Sequence, residues 1–174
     1  GARVLATSGG TVREALARLA RETGLSLSEA KRFIERYFSG FPKVQVWRES
    51  LLAFVREHGY VETLMGRRRS MSDIGSEAGR ERASAENAAL NTPLQGSAAD
   101  IIKLAMIALE RRVAEAGLAG RLLLQVHDEL VVEAPLAEID ATIELMRDCM
   151  EHAAELSVPL VVDVGHGPSW LDAH

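Results

Sequence analysis

The sequence predicts an α+β protein, with a helical N-terminal third followed by helices packed on a small antiparallel sheet. Three observations carry this prediction. From residue 11 to 59, apolar side chains recur every three or four positions between capping signals and glycines. Residues 121–134, RLLLQVHDELVVEA, set two β-forming apolar runs on either side of a short polar break. Residues 159–164, PLVVDV, read as one further strand.

The elements follow in order. Residues 1–10, GARVLATSGG, are small, rich in Gly and Ser, and expected to be loose. Thr11 and Glu14 form a capping box, and Val12, Leu16 and Leu19 give a helical stripe ending at Gly24. Ser26 and Glu29 repeat the box. Ala30, Phe33, Ile34, Tyr37 and Phe38 are the expected buried face of a second helix, which stops near Gly40 and Pro42. A third helix carries Val44, Trp47, Leu51, Val55 and His58 on one side and ends at Gly59. Residues 60–71, YVETLMGRRRSM, read as a ribbon or short hairpin with Gly66 in its middle. After Gly75 a polar, alanine-rich helix is expected to about Leu90; Pro93 is expected to break it, and a more apolar helix to continue to about Ala116. After the 121–134 hairpin, a helix past Pro135 presents Ile139, Ile143, Met146 and Met150, and the 159–164 strand precedes the tail.

Composition bounds the function. The chain has 174 residues, 47% hydrophobic and 26% charged, enough for one cored domain or two small subdomains. A net charge of −5 supplies no global basic field for nucleic acid, although a local patch can suffice. The lone Cys149 rules out an intramolecular disulfide and fits a reducing, cytoplasmic setting. No apolar run nears the ~18 residues of a membrane helix, and no leader resembles a signal peptide. A start at Gly1 rather than Met points to a cut or processed chain.

Three constellations bear chemistry. The first is His127-Asp128-Glu129. Tight hairpin turns favour glycine because their central residues need φ > 0, yet this turn has none. Aspartate serves in many turns by bonding the local backbone. A carboxylate pair on a stiff ribbon also suits a hard, oxygen-seeking cation such as Mg²⁺. His127 as a zinc ligand lacks any partner Cys/His set.

The second is residues 91–100, NTPLQGSAAD. Spacing alone makes it helix punctuation: Thr92 as N-cap, Pro93 at the first helical position and Gln95 closing a capping box. Gly96 lets another backbone or a ligand come close. The functional alternative aims the Asn91 and Gln95 amides at the minor groove, whose acceptors are placed alike for every base pair. The third is the basic triplet Arg67, Arg68 and Arg69, either a solvated surface or a bidentate grip on phosphates. Local pattern leaves both readings open.

Read together, the stretches EAKRFIERYFSGFPKVQVW, GYVETLMGRRR, ENAALNTPLQGSAADIIKLAMIAL, LLLQVHDELVVEAP and PLVVDVGHGPSW resemble, in that order, the C-terminal part of family A DNA polymerases of the bacterial DNA polymerase I type. The resemblance covers about residues 27–174. It implies that residues 1–58 are a helical segment of the polymerase fingers and residues 59–174 the C-terminal palm portion. It implies that Asp128 is the metal-binding aspartate of the palm, Glu129 its supporting carboxylate and His127 a contact near the primer terminus. By the same resemblance Asn91 and Gln95 match residues reaching the minor groove, and Arg67, Arg68, Arg69 and Gln125 are expected as further DNA contacts. The implied chemistry is two-metal nucleotidyl transfer in replication or repair, with one Mg²⁺ activating the primer 3′-hydroxyl and the other stabilising the triphosphate and its leaving pyrophosphate.

Departures qualify that expectation. No stretch resembles the family's Asp-Tyr-Ser-Gln-Ile-Glu-Leu-Arg-like motif, which supplies a second bridging aspartate, and the nucleotide-binding fingers helix is missing. Asp73, Asp100, Asp140, Asp148, Asp163 and Asp172 stand in unrelated contexts. Asn87 occupies the place of a DNA-contacting Arg, and Ser70 that of an aromatic. The expected partners are therefore primer–template DNA, dNTPs only where the missing elements are supplied, and no membrane. The alternatives are a non-catalytic DNA-binding remnant and an inactive folded fragment.

Overall fold

A computed structural model describes residues 20–173. The expected loose start and the Thr11–Leu19 part of the first helix lie outside the described residues; residues 20–23 are helical and lead into Gly24 at φ 72°. Two compact units follow, divided between Ser97 and Ala98. The described elements bear out the α+β expectation: helices α1 (Leu27–Gly40), α2 (Pro42–His58), α3 (Gly79–Glu115) and α4 (Ile139–Glu151), with two antiparallel hairpins, β1–β2 (Tyr60–Glu62, Arg68–Ser70) and β3–β4 (Arg121–Val126, Glu129–Glu133).

In the first unit, α1 begins with the expected box: the Ser26 hydroxyl accepts from the Glu29 N–H, and the Glu29 carboxylate accepts from the Ser26 N–H at 2.9 Å. The Ser26 hydroxyl, which donates to the Glu29 carboxylate at 2.6 Å, and then the Ser26 N–H hold the Glu29 carboxyl below its ordinary pKa. The buried face expected of α1 is corrected: Ala30 is buried, but Phe33 is 57% and Tyr37 42% exposed. The amphipathic stripe is present, but burial needs an opposing surface as well as a stripe. The aromatics pack on one another instead, with Tyr37 5.2 Å from Phe41 and 5.5 Å from Phe38.

Helix α2 ends as expected at Gly59, whose N–H donates to the Val55 carbonyl. Val55, fully buried, joins Val61, Met71, Ile74, Ala85 and Ala89 in the unit's core. Trp47 and His58, expected on the same side, stay exposed, and His58 stacks on Phe54 at 4.2 Å.

The expected break at Pro93 does not occur, because α3 runs through it. A helix-interior proline costs ~3 kcal/mol through its missing N–H and its clash with the preceding turn. Nearby polar side chains stitch the backbone here. The Thr92 hydroxyl donates to the Ala88 carbonyl at 2.7 Å, and the Ser97 hydroxyl donates to the Pro93 carbonyl. Thr92 is therefore a mid-helix back-bonding residue and not an N-cap, and no capping box closes at Gln95.

In the second unit, Ile102, Ala105, Leu109 and Val113 form one stripe of α3 and pack with Leu130, Leu145 and Cys149. The buried row of α4 is Thr142, Leu145 and Cys149; the expected Ile139, Ile143, Met146 and Met150 flank it half-buried. Arg112 donates to Asp148, which keeps that carboxyl below its ordinary pKa. Residues 159–164 are not a strand. A strand exists only beside a partner; here the Val162 N–H donates to the Glu151 carboxylate at 3.0 Å, and Val161 is 80% exposed. No helix among the described residues is long and apolar enough to cross a membrane.

Candidate nucleic-acid interface and carboxylate hairpin

The hairpin β1–β2 presents the basic triplet. Val61 pairs with Arg69 and Glu62 with Arg68, and the loop between them closes through Gly66 at φ 77°. Within that loop the Thr63 N–H donates to the Arg67 carbonyl at 3.0 Å and the Arg67 N–H to the Thr63 hydroxyl at 3.2 Å. Strand alternation sends the arginines to two destinations. Arg67 Nη2 donates to the Gly96 carbonyl at 3.1 Å, and Arg69 Nη1 to the Thr92 hydroxyl at 3.2 Å, so both reach α3. Arg68 donates through Nε to Glu62 at 2.5 Å and lies 4.4 Å over the Tyr60 ring. That hydrogen bond, followed by the charges of Tyr60 and Glu62, raises the Arg68 pKa above its ordinary value.

These contacts frame a cleft of about 320 Å³ lined by Thr63, Arg67, Arg68, Arg69, Thr92, Gln95 and Gly96. Because α3 continues through Pro93, Asn91 and Gln95 sit one turn apart on the same helix face. The structure thus brings the basic triplet and the Gln95 amide of the sequence analysis to one place. The bonds of Arg67 to Gly96 and of Arg69 to Thr92 hold both guanidiniums, groups whose planar donor fork suits an anion, against α3 at the cleft. Sequence reasoning missed Thr63, Thr92 and Ser97 as parts of this site. It flagged Gly96 for close approach, and the approaching group is the Thr63 side chain.

The second group lies in the second unit. Hairpin β3–β4 turns on His127 and Asp128, with Val126 paired to Glu129 and a bulge at Leu123. His127 has φ 53°, alone among the described non-glycine residues in being positive, so it takes the first central position that such turns reserve for glycine or asparagine. The Gln125 side chain donates to the His127 carbonyl and braces the tip. His127, Asp128 and Glu129 are exposed. No hydrogen bond or ion pair ties the Asp128 carboxylate to another described residue. Among the described residues, no three His, Cys, Asp or Glu side chains gather into a metal-holding group.

A positive φ at a non-glycine residue costs ~1–2 kcal/mol. His127→Gly is therefore expected to stabilise the chain by about 1 kcal/mol in urea unfolding followed by circular dichroism. A loss of stability would show that the imidazole makes a compensating contact.

The model of the family described as "DNA polymerase family A" matches residues 14–172. The chain belongs to that family. It is 50% identical over 155 residues to DNA polymerase I of Geobacillus stearothermophilus, 49% over 156 residues to the thermostable DNA polymerase I of Thermus thermophilus, and 48% over 155 residues to DNA polymerase I of Bacillus subtilis. These matches cover 89%, 90% and 89% of the chain, which spans 18% of the length of each relative. Among solved structures it is similar to the POL domain of Pol1 from M. smegmatis in complex with DNA primer-template and dNTP. That likeness has a TM-score of 0.85 at 44% identity, over 91% of this chain and 28% of that one.

Proposed function

We propose that this member of DNA polymerase family A is the C-terminal palm portion, residues 59–174, with a helical segment of the fingers, residues 1–58, of a DNA-directed DNA polymerase. The observation that carries this reading is the cleft in which Arg67, Arg68 and Arg69 meet Gln95 on α3. Its guanidiniums suit a phosphate backbone, and the amides of Asn91 and Gln95 suit minor-groove acceptors common to all base pairs. Such a surface grips a primer–template without reading its sequence. The similar Pol1 domain in complex with primer-template and dNTP supports the same partners for the whole polymerase.

In this reading Gln125 and His127 contact DNA at the hairpin tip, His127 near the primer terminus, and Asp128 is the metal ligand with Glu129 in support. The donor set fits one share of a Mg²⁺ site: a hard, exposed carboxylate on a braced turn, where Mg²⁺ typically takes one or two carboxylates and completes its shell with water and phosphates. Bound there, Mg²⁺ would supply charge stabilisation for nucleotidyl transfer. The chain's own part is to present that carboxylate and hold the duplex. The fingers helix and second aspartate motif are missing from these 174 residues, so the chain is proposed to be catalytically incomplete alone. It would act in replication or repair in the cytoplasm.

The test is primer extension on a recessed primer–template with four dNTPs and Mg²⁺, alongside anisotropy binding to the same DNA. Salt-sensitive binding without extension is expected. Extension abolished by Asp128→Ala would overturn the incompleteness and uphold the metal role of Asp128. Absence of binding at low salt would overturn the DNA-binding reading.

A further inference from the structure

We propose that Ser97 and Gly96 are positioning residues that clip the arginine hairpin to α3, so that phosphates and minor-groove edges are gripped as one rigid pattern. The proposal rests on the duplex-binding reading above. Ser97 is 4% exposed although its side chain is polar. Its hydroxyl uses both hydrogen-bonding roles: it accepts from the Leu64 N–H at 2.8 Å and donates to the Pro93 carbonyl. One hydroxyl thus joins the hairpin loop to the helix at the turn where proline removes a backbone donor.

Gly96 allows the loop to come this close. A Cβ there would lie 2.6 Å from Thr63 Cγ2, well inside contact distance. Thr63 is itself buried, and its Oγ1 accepts from the Arg67 N–H. Arg67 then returns to the helix at the Gly96 carbonyl, and Arg69 at Thr92. Ser97, Gly96 and Thr63 therefore set how far the two guanidiniums stand from the amides of Asn91 and Gln95. A grip ordered before binding avoids the entropy of ordering it on contact.

The test uses the 174-residue chain, a labelled primer–template duplex and two readouts. Anisotropy across a salt series gives affinity and the number of phosphates engaged. Amide hydrogen exchange without DNA reports the Leu64 N–H directly. Ser97→Ala is expected to speed Leu64 exchange about tenfold, weaken duplex binding about tenfold and lower the salt slope by about one. Gly96→Ala should weaken binding similarly. Adding Thr63→Ser, which removes the opposing methyl and keeps the hydroxyl for Arg67, should restore it.

The sign separates this from a structural role. Alanine is the better helix former, so helix stability alone predicts that Gly96→Ala raises Tm and leaves binding unchanged. That result would overturn the proposal. So would a folded Ser97→Ala chain with unchanged Leu64 exchange, whatever its DNA binding. A wild-type chain that protects Leu64 but binds no duplex would overturn the DNA-binding reading, and the positioning role with it.

Discussion

Changing Arg67 and Arg69 together to alanine is expected to weaken primer–template binding about 10- to 100-fold near 100 mM salt and to lower the salt slope by about two. The guanidiniums reach α3 at Gly96 for Arg67 and at Thr92 for Arg69, and both line the cleft. Each phosphate contact contributes about 0.9 to the slope, so two lost contacts are readable above titration error. Arg68 is a built-in comparison. Its charge is already engaged by Glu62 and its face by Tyr60, so Arg68→Ala should change the slope by less than one. The measurement is fluorescence anisotropy between about 50 and 300 mM salt. Equal slopes for the double variant and the wild-type chain would mean that the triplet is a solvated surface.

The largest stability effect is expected at Leu109. It is 1% exposed and packs within the core of the second unit. Leu109→Ala removes buried methyl groups and leaves a cavity that α3, α4 and β4 can only partly close, at a cost of about 3 kcal/mol. Leu104 is the matched control on the same helix, since it lies outside that cluster and is substantially exposed. Urea unfolding followed by circular dichroism should show Leu109→Ala falling by several times the change at Leu104→Ala. Comparable losses at both would mean that the stripe Ile102, Ala105, Leu109 and Val113 does not hold the core.

Much of the local structure was legible before any coordinates. The Ser26–Glu29 box, the end of α2 at Gly59 and both hairpins stand where the sequence places them. Each depends on near neighbours: a side chain reaching its own helix turn, a glycine free to take positive φ, two runs joined by a short break. The candidate site was partly legible for the same reason. The His-Asp-Glu tip stands out because its turn lacks the expected glycine, whereas the basic triplet, Asn91 and Gln95 each also had a plain local reading and gained a functional one from the resemblance.

By itself, then, the sequence determined most of the element types, the family and the residue types gathered at the candidate site. The tertiary structure decided what each signal means in place. Pro93 reads as a break because its missing N–H is a local cost. It is carried inside α3 because Thr92 and Ser97 supply polar contacts around it, one of them shared with a loop more than thirty residues away. Phe33 and Tyr37 read as core because their spacing is helical, yet burial requires a facing surface that spacing cannot specify. PLVVDV reads as a strand because its residues favour one, but pairing is a property of two segments. The same holds for the arginines. Sequence supplies three cations in a row; the fold sends two to α3 and one to Glu62 and Tyr60, because a strand alternates its faces and the partners lie far along the chain.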